Sequence, residues 1–149
     1  DSLGLESIDS NDLELKLTLE GWFNDINFLN ESLVNGIQAI KESNYILANA
    51  WVGECLLHHP ELIPKKWMNY ADSDWYGPEH GSIRFEGSIF QSKEAPERKI
   101  VLSPFMARGR WEYGFEEYRF SLEENAFYAD ANEGKGMFHR FYHVVIKKK

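Results

Sequence analysis

One cysteine, Cys55, is all the chain has, so no disulfide can form within it. That favours a reducing compartment, and a cytoplasmic location is the expectation. Cys55 sits in the apolar run Gly53-Glu54-Cys55-Leu56-Leu57, where a free cysteine behaves as a small hydrophobe and is expected to be buried and inert. No apolar stretch approaches the ~20 residues of a membrane-spanning helix, and no stretch has the pattern of a secretory leader. Internal repeats and low-complexity segments are missing too. So are the signatures of several chemistries. There is no Gly-x-Ser-x-Gly elbow for a nucleophile. Gly134-Lys135-Gly136 lacks the strand-to-helix context and the following Ser or Thr of a phosphate-binding loop. Neither a cofactor nor a metal is expected.

What is present is ample material for a core. The 149 residues include ten Phe, seven Tyr and five Trp, too much apolar surface for a disordered chain. A chain of this length buries roughly 70% of its extended surface on folding. A single domain, 1–149, is therefore expected, with a flexible arm at 1–11, a mainly helical part at 12–71 and an antiparallel sheet at 82–147.

Charge is unevenly spread. Residues 1–80 carry fourteen acidic and four basic residues, a balance of −10, whereas residues 81–149 carry ten and twelve, a balance of +2. The total of −8 disfavours nucleic acid as a ligand, because phosphates demand a cationic patch. Surplus carboxylates can simply keep a protein soluble, or they can complement a basic partner.

Along the chain, Leu13, Leu15, Leu17 and Leu19 alternate with Glu14, Lys16, Thr18 and Glu20, the period of a half-buried strand. Asn30 can cap a helix whose apolar positions are Leu33, Val34, Ile37 and Ile40, and Glu31 suits its dipole. Gly36 costs that helix about 1 kcal/mol against Ala. Residues 45–57 are apolar almost all round, so periodicity cannot separate helix from strand; Ala48 and Ala50 favour helix. A short helix is expected near 61–71, after Pro60. From residue 82 the pattern changes to strands: 83–90 interrupted near Gly87, 99–107 paired with 110–122 around Gly109, a short one at 126–130, and a final one at 137–147. Gly114 is read as a bulge. The fold class is α+β, an N-terminal strand and two to three helices packed on a C-terminal antiparallel sheet of about five strands.

The loop Asp72-Ser73-Asp74-Trp75-Tyr76-Gly77-Pro78-Glu79-His80 is the leading candidate site. Trp and Tyr displayed on a loop supply binding area at low entropic cost. Asp72, Asp74, Trp75, Tyr76, Glu79 and His80 are the expected binding residues. The two aspartates do not match a calcium loop, which needs further oxygen ligands and a closing Glu. His139 and His143 have the four-residue spacing of helical metal ligands. The β-branched residues beside them argue for a strand, in which they would lie ~13 Å apart, too far to share one ion. Both faces of that segment are bulky, as suits a central strand covered on both sides. His58-His59 read as a partly exposed helix end.

Two functions of different kind follow. The first is a non-enzymatic, acidic protein-binding module, such as an inhibitor or immunity-type protein that neutralises a basic toxin or nuclease. The second is a small enzyme or ligand binder, with His139, His143 or His80 and the sheet aromatics Trp111, Tyr113, Phe120, Tyr128 and Phe141 lining a pocket.

Overall fold

The computed structural model describes residues 10–23, 26–72, 80–94, 99–117 and 137–148. After a 3-10 turn at Ser10–Asp12 the chain runs β1 (Leu13–Phe23), α1 (Ile26–Lys41), β2 (Tyr45–Leu47) and α2 (Ala50–His58). Two 3-10 turns, Pro60–Leu62 and Lys65–Trp67, lead into α3 (Met68–Ala71). Six strands follow: β3 (Ser82–Gln91), β4 (Lys99–Leu102), β5 (Phe105–Ala107), β6 (Arg110–Glu112), β7 (Phe115–Glu117) and β8 (Met137–Lys147).

The α+β class stands, but the sheet is not confined to the C-terminal half. Its order is β1-β8-β3-β4-β7, with β2 also on β8. The first strand does not pack on the sheet; it pairs with the last one, from Leu13↔Ile146 to Phe23↔Met137. The sheet is mixed, because β3 runs parallel to β8 through Ser82↔Phe141 and Arg84↔His143. Segment 12–71, read as mainly helical, thus contributes two strands to a six-stranded sheet. Most of the arm read at 1–11 lies outside the described residues, as does the strand read at 126–130.

Why β1 takes this place is visible in its leucines. Leu13, Leu15 and Leu17 pair with Ile146, Val144 and Tyr142, then the register shifts before Leu19 pairs with Phe141. One extra residue in a strand turns every later side chain to the other face. Leu13 accordingly joins the core cluster that holds Val52, Leu56, Trp67, Phe85 and Val144. Leu19 joins the opposite cluster, with Leu29, Leu33, Ile37, Val101 and Val145. The sheet is therefore clothed on both sides, by α1 on one and by α2 and α3 on the other. As expected, β8 is the covered central strand, and Phe141–Ile146 are all buried.

Several local readings are corrected. Helix α1 begins at Ile26, so Asn30 lies inside its first turns and is not its cap; Leu29 replaces Val34 in the buried stripe, and Val34 is exposed. The 45–57 run is neither one helix nor one strand. Tyr45–Leu47 pair with β8, the Ala48 N–H donates to the Val144 carbonyl (2.9 Å), and Asn49 then caps α2 by accepting from the Val52 N–H (3.1 Å). An N-cap residue in mid-run ends the strand and starts the helix. At 61–71 only four residues are α-helical. Strand β3 is one element through Gly87, but its pairing with β4 shifts register between Phe85 and Phe90, around the interruption read there; a Cβ on Gly87 would come within 2.6 Å of the Leu47 carbonyl oxygen. Gly109 does sit in a hairpin turn, between β5 and β6, with Arg108 and Gly109 both at positive φ (52° and 78°). Strand β4 pairs instead with β3 and β7.

Candidate functional site

The two described ends of the predicted recognition loop are drawn together. The Gly81 N–H donates to the Tyr70 carbonyl (2.7 Å), and Asp72 forms a bridge with Met106 of β5. Arg140 of β8 donates from Nη1 to the His80 carbonyl (2.9 Å) and from Nε to Glu20 Oε2 of β1 (2.6 Å). The base of the loop is thus tied to β5 and β8, and through Arg140 to β1. Asp74, Trp75, Tyr76 and Glu79 lie outside the described residues. Partial burial holds the His80 imidazole below its ordinary pKa, opposed by a hydrogen bond to the Asp72 backbone and by the Asp72 carboxylate.

Beside this base opens a cleft of about 350 Å³, lined by His80, Ser82, Ser103, Phe105, Phe115 and Glu116 among others. Strands β3 and β7, with Ser103 just after β4, supply its polar wall. Glu116 accepts from Ser82 Oγ (2.5 Å) and from Arg84 Nη1 (3.0 Å). Phe115 lines the cleft yet is 55% exposed, and Tyr113, two residues before it, is 49% exposed. Aromatic area next to a polar, partly charged recess is the composition of a binding surface.

A second polar cluster lies deeper; His143 was a candidate from the sequence, but its partners Arg84 and Glu86 were not. Arg84 is 1% exposed and His143 0%. Arg84 Nε donates to Glu86 Oε1, and its guanidinium stands over the Phe141 ring, 4.4 Å from the centroid. His143 Nδ1 lies 3.4 Å from the same Glu86 oxygen. Burial alone would raise the Glu86 pKa, but His143 and Arg84 outweigh it and hold the carboxyl below its ordinary value. Arg84 and Glu86 alternate with Ile83 and Phe85 along β3, which reads as a polar, solvent-facing side. Both are nonetheless buried, with the Phe141 ring against the Arg84 guanidinium, so the charges are interior.

The remaining candidates are dispersed. His139 pairs through its backbone with Gly21. His58 and His59 are exposed, near Glu54 (3.7 Å) and Glu61 (3.6 Å) respectively. Cys55 is half-buried, less enclosed than its apolar neighbours suggest. Trp111 packs against the cluster on the α2 side, whereas Phe141 belongs to the one on the α1 side. The described members of the proposed aromatic pocket therefore do not converge. Phe120 and Tyr128 lie outside the described residues. Among the described residues no three His, Cys, Asp or Glu side chains gather as a metal site. Among those residues, too, no helix is long and apolar enough to cross a membrane.

No protein family, characterised protein or solved structure matches the chain. Function rests on the site alone.

Proposed function

We propose that this chain is a non-enzymatic binding protein, of inhibitor or immunity type, that engages a protein partner with a basic surface. The contact surface is the Asp72–His80 segment together with the cleft beside it. The observation that carries this reading is the fastened base of that segment at the mouth of the cleft, flanked by exposed Tyr113 and Phe115. A loop held at its base presents its residues with less ordering to complete on binding. The chain's cations near the cleft are engaged at home: Arg84 with Glu86 and Glu116, Arg140 with Glu20. The net charge of −8 then favours encounter with a cationic surface.

The test is a displayed peptide library selected on the full chain, with recovered binders titrated at about 50 and about 500 mM salt. Binders should be enriched in Lys and Arg, and they should weaken about tenfold or more at the higher salt. Phe115→Ser should weaken them further. Recovery of binders without basic bias, or affinities indifferent to salt, would sink the reading.

A second reading, a small-ligand or catalytic cleft, is favoured by one observation: the His80 imidazole, whose neutral form partial burial favours, shares a recess with Ser82, Ser103 and Glu116. A neutral imidazole can accept a proton from a bound hydroxyl or amine. In this reading a small polar ligand shifts the His80 ring resonances in an NMR titration at pH 7. Unmoved His80 resonances across a library of small polar ligands would remove it.

A further inference from the structure

At the other end of β8 the molecule reverses its sign. Four lysines from three elements surround one tyrosine, Tyr45 of β2. The Lys16 ammonium lies 4.1 Å from the Tyr45 ring centroid. Lys147 is the β8 partner of Tyr45 in the register. Lys148 is held in place, its backbone N–H donating to the Asn44 carbonyl (2.9 Å) and its ammonium to the Ser43 carbonyl (3.2 Å). Lys41 ends α1. In a chain of net charge −8, such a gathering is against the average.

Two of these lysines, Lys41 and Lys148, line a cavity of about 470 Å³ together with Tyr45, Ile46, Leu47, Ile89, Glu86 and Gly87. That volume lies within the range of small-molecule sites, and a mostly apolar wall with a few polar groups is their usual composition. Ile46 and Ile89 are exposed in it, 38% and 42%. Glu86 does not spoil the positive sign, because its carboxylate is turned inward to Arg84 and His143.

We propose that this cavity binds a small amphiphilic anion: a single carboxylate, sulfonate or phosphate on a compact apolar body. The headgroup is met by Lys41 and Lys148, and the body lies on Tyr45, Ile46, Leu47 and Ile89. Charge complementarity picks the headgroup, since ammonium groups favour an anion and strengthen its hydrogen bonds. The apolar lining picks the body, since it gains by removing hydrocarbon from water. This site is separate from the cleft at His80 and does not rest on the protein-binding reading.

The experiment titrates the full chain, isotopically labelled, with decanoate and with 1-naphthoate, and with the neutral decanol and 1-naphthylmethanol. The aliphatic and aromatic arms distinguish the two kinds of body. Backbone resonances of residues 45–47 and 87–89 should shift saturably for at least one anion, with a dissociation constant below about 1 mM. The matching neutral compound should bind roughly tenfold more weakly or less. The double variant Lys41→Gln/Lys148→Gln should reduce anion affinity about tenfold and leave the neutral compound's unchanged, at unaltered melting temperature. Ile89→Asp should abolish both. Shifts spread over the whole surface, absence of saturable binding by either anion, or a double variant that binds as the parent does would each overturn the proposal. Loss of basic-peptide binding would leave it standing.

Discussion

Glu86 is the residue on which the interior of the sheet turns. Its carboxylate touches both Arg84 and His143, and all three are buried. Removing one partner from a buried ion pair leaves the other charge without compensation, which costs far more than a surface pair is worth. Glu86→Gln should therefore lower the unfolding free energy by about 3 kcal/mol in urea titrations. Acid should act through the same group. Its folded pKa is depressed below the ordinary 4.5, so its contribution is present above that value and is lost as pH falls through the lower folded value. Between pH 7 and pH 3 the parent should lose more stability than Glu86→Gln does; parallel losses would show that Glu86 titrates no differently folded or unfolded. Of the three only His143 was a candidate from the sequence, and its partners were not legible. Alternation of Ile83 and Phe85 with Arg84 and Glu86 carries the signal of a wet face, and only the burial of both charged side chains in the fold shows it to be dry. His80 and Asp72 were legible, because Gly, Pro and Asp around them mark a loop whatever the tertiary context.

At the scale of elements, the strands announced themselves by period two and the helices by periods of three and four, while the junctions did not. The 45–57 run is apolar on every side because Tyr45–Leu47 lie in a sheet and Val52, Gly53 and Leu56 face its surface. The clue to the junction was Asn49, a good cap residue among hydrophobes. Asn49→Ala should cost about 1 kcal/mol, seen as a lowered melting temperature, by releasing the Val52 N–H. Helix α1 offers the opposite lesson about Gly36. Propensity alone says that Gly36→Ala stabilises by about 1 kcal/mol. The new Cβ would lie 2.7 Å from Thr18 Cβ, at the register shift of β1. The substitution should destabilise by about 1 kcal/mol or more, because overpacking outweighs propensity; a raised melting temperature would contradict that close approach. The glycine is what lets the helix lie on the bulged strand.

The whole molecule is organised around β8, with β1 along one edge and β3 and β2 along the other. The α+β class could be read from local patterns, but this arrangement could not. Pairing between residues 13 and 146 leaves no local trace, and a parallel β3–β8 contact leaves even less. Amides of Phe141–Ile146 should exchange most slowly of all, at the rate of global unfolding, since their strand is flanked on both edges and covered on both faces. Faster exchange there than in α1 would show that the sheet opens from its centre. Deleting residues 137–149 should abolish cooperative unfolding by calorimetry, since both core clusters draw side chains from β8.

The pairing of β1 with β8 also has a history on the ribosome. Leu13, Leu15, Leu17 and Leu19 are synthesised more than a hundred residues before the strand that shelters them. For most of translation they form a sticky ribbon awaiting its mate. The polar residues between them, Glu14, Lys16 and Thr18, interrupt that ribbon at every second step, and the charges of Glu14 and Lys16 keep it from finding another nascent copy first.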